Sequence, residues 1–344
     1  MSLHNKKSST ELKKSLEKNK FPRIVLSFYR YFEIKNVELF RDYLFINLEK
    51  LNVFGRIYVA KEGINAQISV PKKKYGELSL FLSKISFLKE IKLNLAIEHN
   101  YKSFFKLIVK VKNKIVADGI NIQDFKPHHS GKHVNAKQFN ELLSCSNTIC
   151  IDVRNHYESE IGHFIGALTP DVDTFSDSLP IIENQLSKFN KDKNILMYCT
   201  GGIRCEKASA YIKHKGYKNV YQLSGGIIQY AREVKEMKIK NFFKGKNFVF
   251  DDRRFEKVTE EVISKCHQCG KKSDHHVNCF NNACNLLFIQ CKNCQRKMKN
   301  CCSKECIDIT SLSIEEQKKL RKGNPSKNKI FKKGRAYNLK FYKN

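Results

Sequence analysis

The stretch NILMYCTGGIRCEKASAYIKHKG, residues 194–216, changes character twice within a few residues. Ile195 to Cys199 is short, apolar and without a helical stripe, the pattern of a buried strand. Thr200-Gly201-Gly202-Ile203-Arg204 is long enough only for a tight loop. From Cys205 to Lys215 the apolar positions Ala208, Tyr211 and Ile212 fall on one helical face, and Gly216 suits a C-terminal cap. A cysteine therefore stands where a strand ends, and a glycine-rich loop then opens a helix. Inward N–H groups of such a loop and the positive end of the helix both favour thiolate over thiol. Cys199 is the candidate nucleophile. Thr200, Gly201, Gly202 and Ile203 form its cradle. Arg204 closes the loop, either fixing its shape or attracting an anion. Cys205 is either a resolving thiol or a small packing residue.

Outward from the loop, strands are expected at 148–152, 195–199 and 219–223, alternating with helices near 181–189, 205–215 and 227–236. Asn135 with Gln138 makes a capping box for a helix through Leu143. This alternation predicts a parallel sheet covered on both faces, with its ligand crevice at the C-terminal strand ends. Asp152 and Cys199 both fall there. Asp152 is expected to order the loop or neighbouring arginines, and Cys150 to be core.

Residues 21–115 read differently. Strands at Ile24–Phe32, Phe54–Ala60, Ile64–Val70, Ile91–Ile97 and Phe104–Val111 surround helices at Val37–Leu51 and from Pro71 to Ile85. The order β-α-β-β-α-β with one extra strand is the ferredoxin-like plan, an α+β arrangement. Phe28, Tyr29, Tyr31, Phe32 and Tyr58 either stack bases or fill the core. Arg56 and Lys61, beside Gly63, are the candidates for touching RNA. Residues 1–20 read as a polar arm. Residues 116–133 read as a linker, whose His128, His129 and His133 lack partners at metal-ligand spacing.

Nine of the chain's 13 cysteines lie between Cys266 and Cys306. Cys266/Cys269, Cys279/Cys284, Cys291/Cys294 and Cys302/Cys306 form pairs with the spacing of zinc knuckles, enough for two tetrahedral sites. First-with-third pairing and sequential pairing are both open, and His276 could replace one cysteine. Phe248–Asp251 reads as a strand before this region, and the tail after Ser311 is basic.

With 344 residues the chain holds two or three domains. No apolar run is long enough for a membrane span, and the N-terminus lacks a signal-peptide core, so a cytoplasmic location is expected. Cysteines in that reducing compartment point to metal or redox chemistry. The net charge of +30 suits a polyanionic partner, although a lysine-rich genome bias gives the same composition.

The loop closely resembles the active-site loop of the rhodanese superfamily. Asp152-Val153-Arg154, Tyr157-Glu158, Gly162-His163-Phe164-Ile165-Gly166-Ala167 and Ser224-Gly225-Gly226-Ile227 agree with its flanking motifs. CTGGIRCEK, together with GRIYVAKEGINA (Gly55–Ala66) and the cysteine-rich tail, is similar to the bacterial tRNA uridine hydroxylase family. The resemblance spans nearly the whole chain. It implies a ferredoxin-like domain (21–115), a linker (116–133), a rhodanese domain (134–240), a cysteine-rich zinc-like region (241–310) and a basic tail (311–344). It also implies tRNA as partner, molecular oxygen as co-substrate, and hydroxylation of the wobble uridine to 5-hydroxyuridine at Cys199. In rhodanese-like proteins the matching cysteine carries a persulfide, so sulfur transfer is the alternative. Related phosphatases place five residues between cysteine and arginine. Here only Thr200 to Ile203 intervene, which argues against phosphate chemistry. No flavin fingerprint and no two-histidine-one-carboxylate set is apparent.

Overall fold

The computed structural model describes residues 9–18, 20–120 and 127–322. Helix α1 (Ser9–Lys18) forms within the stretch expected as a polar arm. Lys13 pairs with Asp252 at 3.0 Å and Glu17 with Lys102 at 2.7 Å, both exposed.

The first domain comprises β1 (Arg23–Tyr31), α2 (Val37–Lys50), β2 (Phe54–Ala60), β3 (Gly63–Pro71), α3 (Tyr75–Ser83), β4 (Asn94–Leu95) and β5 (Leu107–Val111). Its sheet order is β4-β1-β3-β2-β5. The first four strands are antiparallel neighbours in the ferredoxin-like order, and β5 is the extra strand, parallel to β2. The expected strand over 91–97 shrinks to Asn94–Leu95, extended by one further bond from the Ala96 N–H to the Val25 carbonyl.

Strand alternation gives this sheet two unlike faces. Leu26, Phe28, Ile57, Val59, Ile64, Ala66 and Ile68 point into a core shared with Leu44, Leu48, Leu78 and Leu82 of the helices. On the other face, Ser27, Gln67 and Arg56 align in one cross-strand row, and Tyr29, Asn65 and Tyr58 in the next. Phe28 is thus core, as one of its two readings held. Phe32 stacks on Phe87 with centroids 4.6 Å apart.

The second domain runs through β6 (Lys132–Val134), α4 (Ala136–Leu143), β7 (Thr148–Asp152), α5 (His156–Ser159), β8 (Gly162–Phe164), α6 (Phe175–Leu186), β9 (Asn194–Tyr198), α7 (Ile203–His214), β10 (Val220–Leu223) and α8 (Gly226–Met237). Strands β6-β10-β9-β7 form a wholly parallel sheet. One face packs on α6 and α7 through Leu179, Ile182, Ala208 and Ile212. The other packs on α4 and α8 through Phe139, Ile227 and Tyr230. The Asn135–Gln138 capping box is present. Helix α6 starts earlier than its expected 181, because the Thr174 side chain caps it and Pro180 is accommodated inside. Part of the segment read as a linker is built into this domain: His133 lies in β6, and its Nε2 is 2.9 Å from Glu206. His128 and His129 sit in a 3₁₀ turn.

The chain then forms β11 (Phe243–Phe248) and β12 (Phe255–Lys257), with β11 antiparallel to β8. The strand expected over Phe248–Asp251 is therefore displaced. Gly245 lets β11 approach β8 so closely that an added Cβ would lie 2.2 Å from the Ile161 carbonyl oxygen. Residues 249–254 turn instead, closed by the Val249 N–H on the Arg254 carbonyl.

The cysteine-rich region contains β13 (His276–Asn278), β14 (Leu287–Ile289), α9 (Lys292–Lys297), α10 (Lys304–Ser311) and α11 (Ile314–Arg321). Leu287 and Ile289 pack on Tyr157, Ile161 and Phe248, joining it to the second domain. The basic-tail residues beyond Lys322 lie outside the described residues.

Candidate active site

Strand β9 ends at Tyr198, so Cys199 leaves the sheet at its C-terminal edge. The Gly202 N–H donates to its Sγ at 3.1 Å. Gly202 caps α7 with φ 101°, and an added Cβ would meet the Tyr29 hydroxyl at 2.9 Å. The Gly-Gly-Ile turn of the flanking motif supports the loop from behind. Ile227 N–H bonds the Cys199 carbonyl at 3.0 Å and Ile228 N–H the Thr200 carbonyl at 3.2 Å. A Cβ on Gly226 would lie 2.5 Å from the Cys199 carbonyl oxygen. These bonds hold the loop carbonyls away from the sulfur and leave amides facing it.

Burial alone would push the Cys199 thiol up. The Cys205 thiol donating to it, the Arg204 guanidinium, and the Cys205 and Gly202 N–H groups outweigh burial and bring it down to about 6. Cys205 is pushed well up by burial and by the neighbouring Cys199 charge, so it remains the thiol of the pair. Both halves of its sequence reading apply, since it is fully buried and touches Cys199.

Arg204 donates to both carboxylate oxygens of Glu158, at 2.6 and 2.8 Å. Glu158 is itself fully buried and bonds the Asn155 N–H. The Arg204 charge is therefore committed within the protein, unlike an arginine kept free for a phosphate. Asp152 does not reach the loop. It holds Arg154, whose Nη2 lies 2.6 Å from it and 2.6 Å from the Gly162 carbonyl.

The first domain roofs the loop. Tyr29 donates to Glu206 at 2.9 Å and Tyr31 to the Ile203 carbonyl at 3.4 Å. Asn94 Nδ2 reaches the Gly201 carbonyl at 3.5 Å. Under the roof lies a cavity of about 380 Å³, within the usual size range of ligand pockets. Its walls are the polar sheet face (Ser27, Tyr58, Asn65, Gln67), the cysteine loop, and residues 249–256. Cys199 lines the floor but is only 1% exposed, more enclosed than the open groove expected from sequence.

The two RNA candidates part company. Arg56 lines the cavity and donates to the Phe250 carbonyl at 3.1 Å. Lys61 sits exposed on the β2–β3 turn and does not line it.

Sequence reasoning named no role for Glu158, Glu206, Arg253 or Glu256. Glu158 was within reach, as part of the Tyr-Glu motif. Arg253 and Glu256 carried no local signal, because their importance comes from packing against the first domain. Arg253 donates to Asp251, to the Glu98 carbonyl and to Glu256. Burial pushes the Glu256 carboxyl up.

The cysteine pairs assemble first-with-third and second-with-fourth. Cys266, Cys269, Cys291 and Cys294 form one group, and Cys279, Cys284, Cys302 and Cys306 the other. Within each group the sulfurs lie within 4.8 Å of one another. Tetrahedral ligands at about 2.3 Å from zinc stand about 3.8 Å apart, so both groups fit a metal ion. His276 belongs to neither. It is buried against Phe248, and neither ring nitrogen has a hydrogen-bond partner. Cys301 also stands outside, beside Thr310.

Comparison with known proteins gives a consistent result. Residues 23–115 match the UPF0176 acylphosphatase-like domain, 135–233 the rhodanese-like domain, and 244–307 the rhodanese C-terminal family. A tRNA uridine(34) hydroxylase from Leptospira interrogans is 50% identical, covering 97% of this chain and 90% of that protein. Proteins of the same name from Pectobacterium carotovorum and Erwinia tasmaniensis are each 48% identical over 97% of this chain, covering 94% and 95% of their own lengths.

Proposed function

Since the chain belongs to the tRNA uridine(34) hydroxylase family, we propose that it hydroxylates the wobble uridine of tRNA to 5-hydroxyuridine with Cys199 as its reacting group. The observation that carries this assignment is the Cys199 sulfur, favoured as an anion, on the floor of a cavity built by three parts of the chain. An anticodon-loop base can leave its stack and enter such a pocket. The net charge of +30 favours the tRNA backbone around it.

The reaction replaces C5–H by C5–OH. With molecular oxygen as oxidant, the second oxygen atom leaves as water and takes up two electrons and two protons. Cys199 and Cys205, a touching pair of thiols, can give both electrons and close to a disulfide, with solvent balancing the protons. An external thiol then resets the pair. Thr200 and the loop glycines cradle the sulfur, and Arg204 raises its thiolate fraction. Asp152 acts at one remove, through Arg154.

Both cysteine groups suit structural zinc, which would supply the stability that so small a region cannot draw from its own core. No described helix is long and apolar enough to cross a membrane, and a tRNA substrate fits a cytoplasmic location.

The test is nucleoside analysis of tRNA from a deletion strain carrying either the wild-type chain or Cys199→Ala. Wild type should restore 5-hydroxyuridine derivatives and the variant should not. Normal levels without the protein would overturn the assignment. Thiosulfate-dependent sulfur release without hydroxylation would favour sulfur transfer.

A further inference from the structure

Uracil presents a donor, N3–H, on the edge opposite the C5–C6 bond. If C5 faces Cys199, a group that reads N3–H must stand across the cavity from the loop.

Most polar groups of the wall are already engaged. Asn65 Nδ2 donates to the Ile115 carbonyl, and its Oδ1 accepts from Gln67. Arg253 is a donor throughout. Two buried acceptors in the wall have no partner, Asn94 Oδ1 and Glu256 Oε2. Asn94 is bonded to Gly201 and so stands at the cysteine end. Glu256 Oε1 accepts from the Ile97 N–H at 3.1 Å, three residues farther along the same extended segment. At about 3.3 Å per residue, that is about 10 Å from Asn94. A uracil ring with one contact on either side spans a similar distance. Glu256 is fully buried, and a buried carboxylate oxygen without a partner is costly unless a ligand supplies a donor.

We infer that Glu256 Oε2 accepts the N3–H of the incoming uracil and thereby separates uridine from cytidine at the wobble position. This rests on the hydroxylase function proposed above. Cytosine has a lone pair at N3, which a carboxylate oxygen repels.

The Glu256→Gln variant tests this with a defined geometry. Oε1 accepts from both the Ile97 N–H and Arg253 Nη1. Glutamine must therefore keep its carbonyl there and put its NH₂ where Oε2 was. A donor replaces an acceptor while the contacts that hold residue 256 survive.

The experiment uses the full chain and tRNAs that differ only at the wobble base: uridine, cytidine or 3-methyluridine. Dissociation constants and single-turnover hydroxylation are both read. Wild type should prefer uridine over the other two. Glu256→Gln, with an unchanged melting temperature, should bind the uridine tRNA about tenfold more weakly and the cytidine tRNA about tenfold more tightly. An unchanged uridine-to-cytidine ratio, with wild type hydroxylating normally, would overturn the inference alone. A shifted ratio with no hydroxylation by wild type would sustain base reading by Glu256 and overturn the hydroxylase function.

Discussion

Lys207 of α7 donates to both carboxylate oxygens of Glu62, at 2.9 Å each, across the junction of the first two domains. Asp118 shares the same ammonium, and Lys207 is only 1% exposed. Two residues earlier in α7 stands Cys205, and one residue after Glu62 the polar strand β3 begins. The ion cluster thus sets the height of the roof above the cysteine loop.

Lys207→Ala should leave Asp118 buried without its partner and cost about 3–5 kcal/mol, the scale for breaking a buried ion pair from one side. Chemical denaturation gives the value. A Glu62→Gln change should cost less, since Glu62 is partly exposed and retains a hydrogen-bonding oxygen.

Hydroxylation should fall as pH drops through about 6, because the reactive form of Cys199 is the thiolate and protonation removes it. Above about pH 7 the rate should level off. Arg204→Gln removes a cation that favours the thiolate, so its acid limb should move to higher pH. Single-turnover rates across pH 5–8 check both, and coincident profiles would contradict the electrostatic role of Arg204.

Gly226→Ala should be severe although no side chain is lost. Its φ of 63° disfavours a Cβ, and that atom would stand 2.5 Å from the Cys199 carbonyl. The expected cost is about 1–3 kcal/mol in stability, with a larger loss of activity because the loop amides turn. Thermal melts and tRNA nucleoside analysis separate the two effects.

Elemental analysis should find two zinc ions per chain, falling to one in Cys269→Ser or in Cys284→Ser. Either group's loss loosens the region that packs on Tyr157 and Phe248. Tyr157 adjoins Glu158, the partner of Arg204, so chelation should lower hydroxylation before it abolishes tRNA binding.

The cysteine loop was legible because the apolar pattern changes period there, and that change fixes strand, loop and helix in order. The ferredoxin-like plan was legible for the same reason, down to the extra strand. The pairing of the cysteines was not. Spacing names the knuckles, but which knuckles meet depends on how Leu287–Ile289 lies beside His276–Asn278. The displaced strand near 248 shows the reverse error. Phe248-Val249-Phe250 has strand composition, yet only the stretch ending at Phe248 finds a neighbour, because Gly162 and Gly245 permit close contact earlier. Glu256 lies in a short polar run whose meaning arises only when Ile97 of a distant domain meets it.

The near-complete enclosure of the Cys199 sulfur bears on how long the enzyme survives in use. A thiolate open to bulk water is consumed by peroxides and climbs irreversibly to sulfinic acid. Here Tyr29, Asn94 and the 249–256 turn keep stray oxidants at a distance, while a nucleotide brings enough binding energy to come in. Chemical durability and substrate choice are thus secured by the same lid of residues, and a variant that pries it open should age faster even where it still turns over.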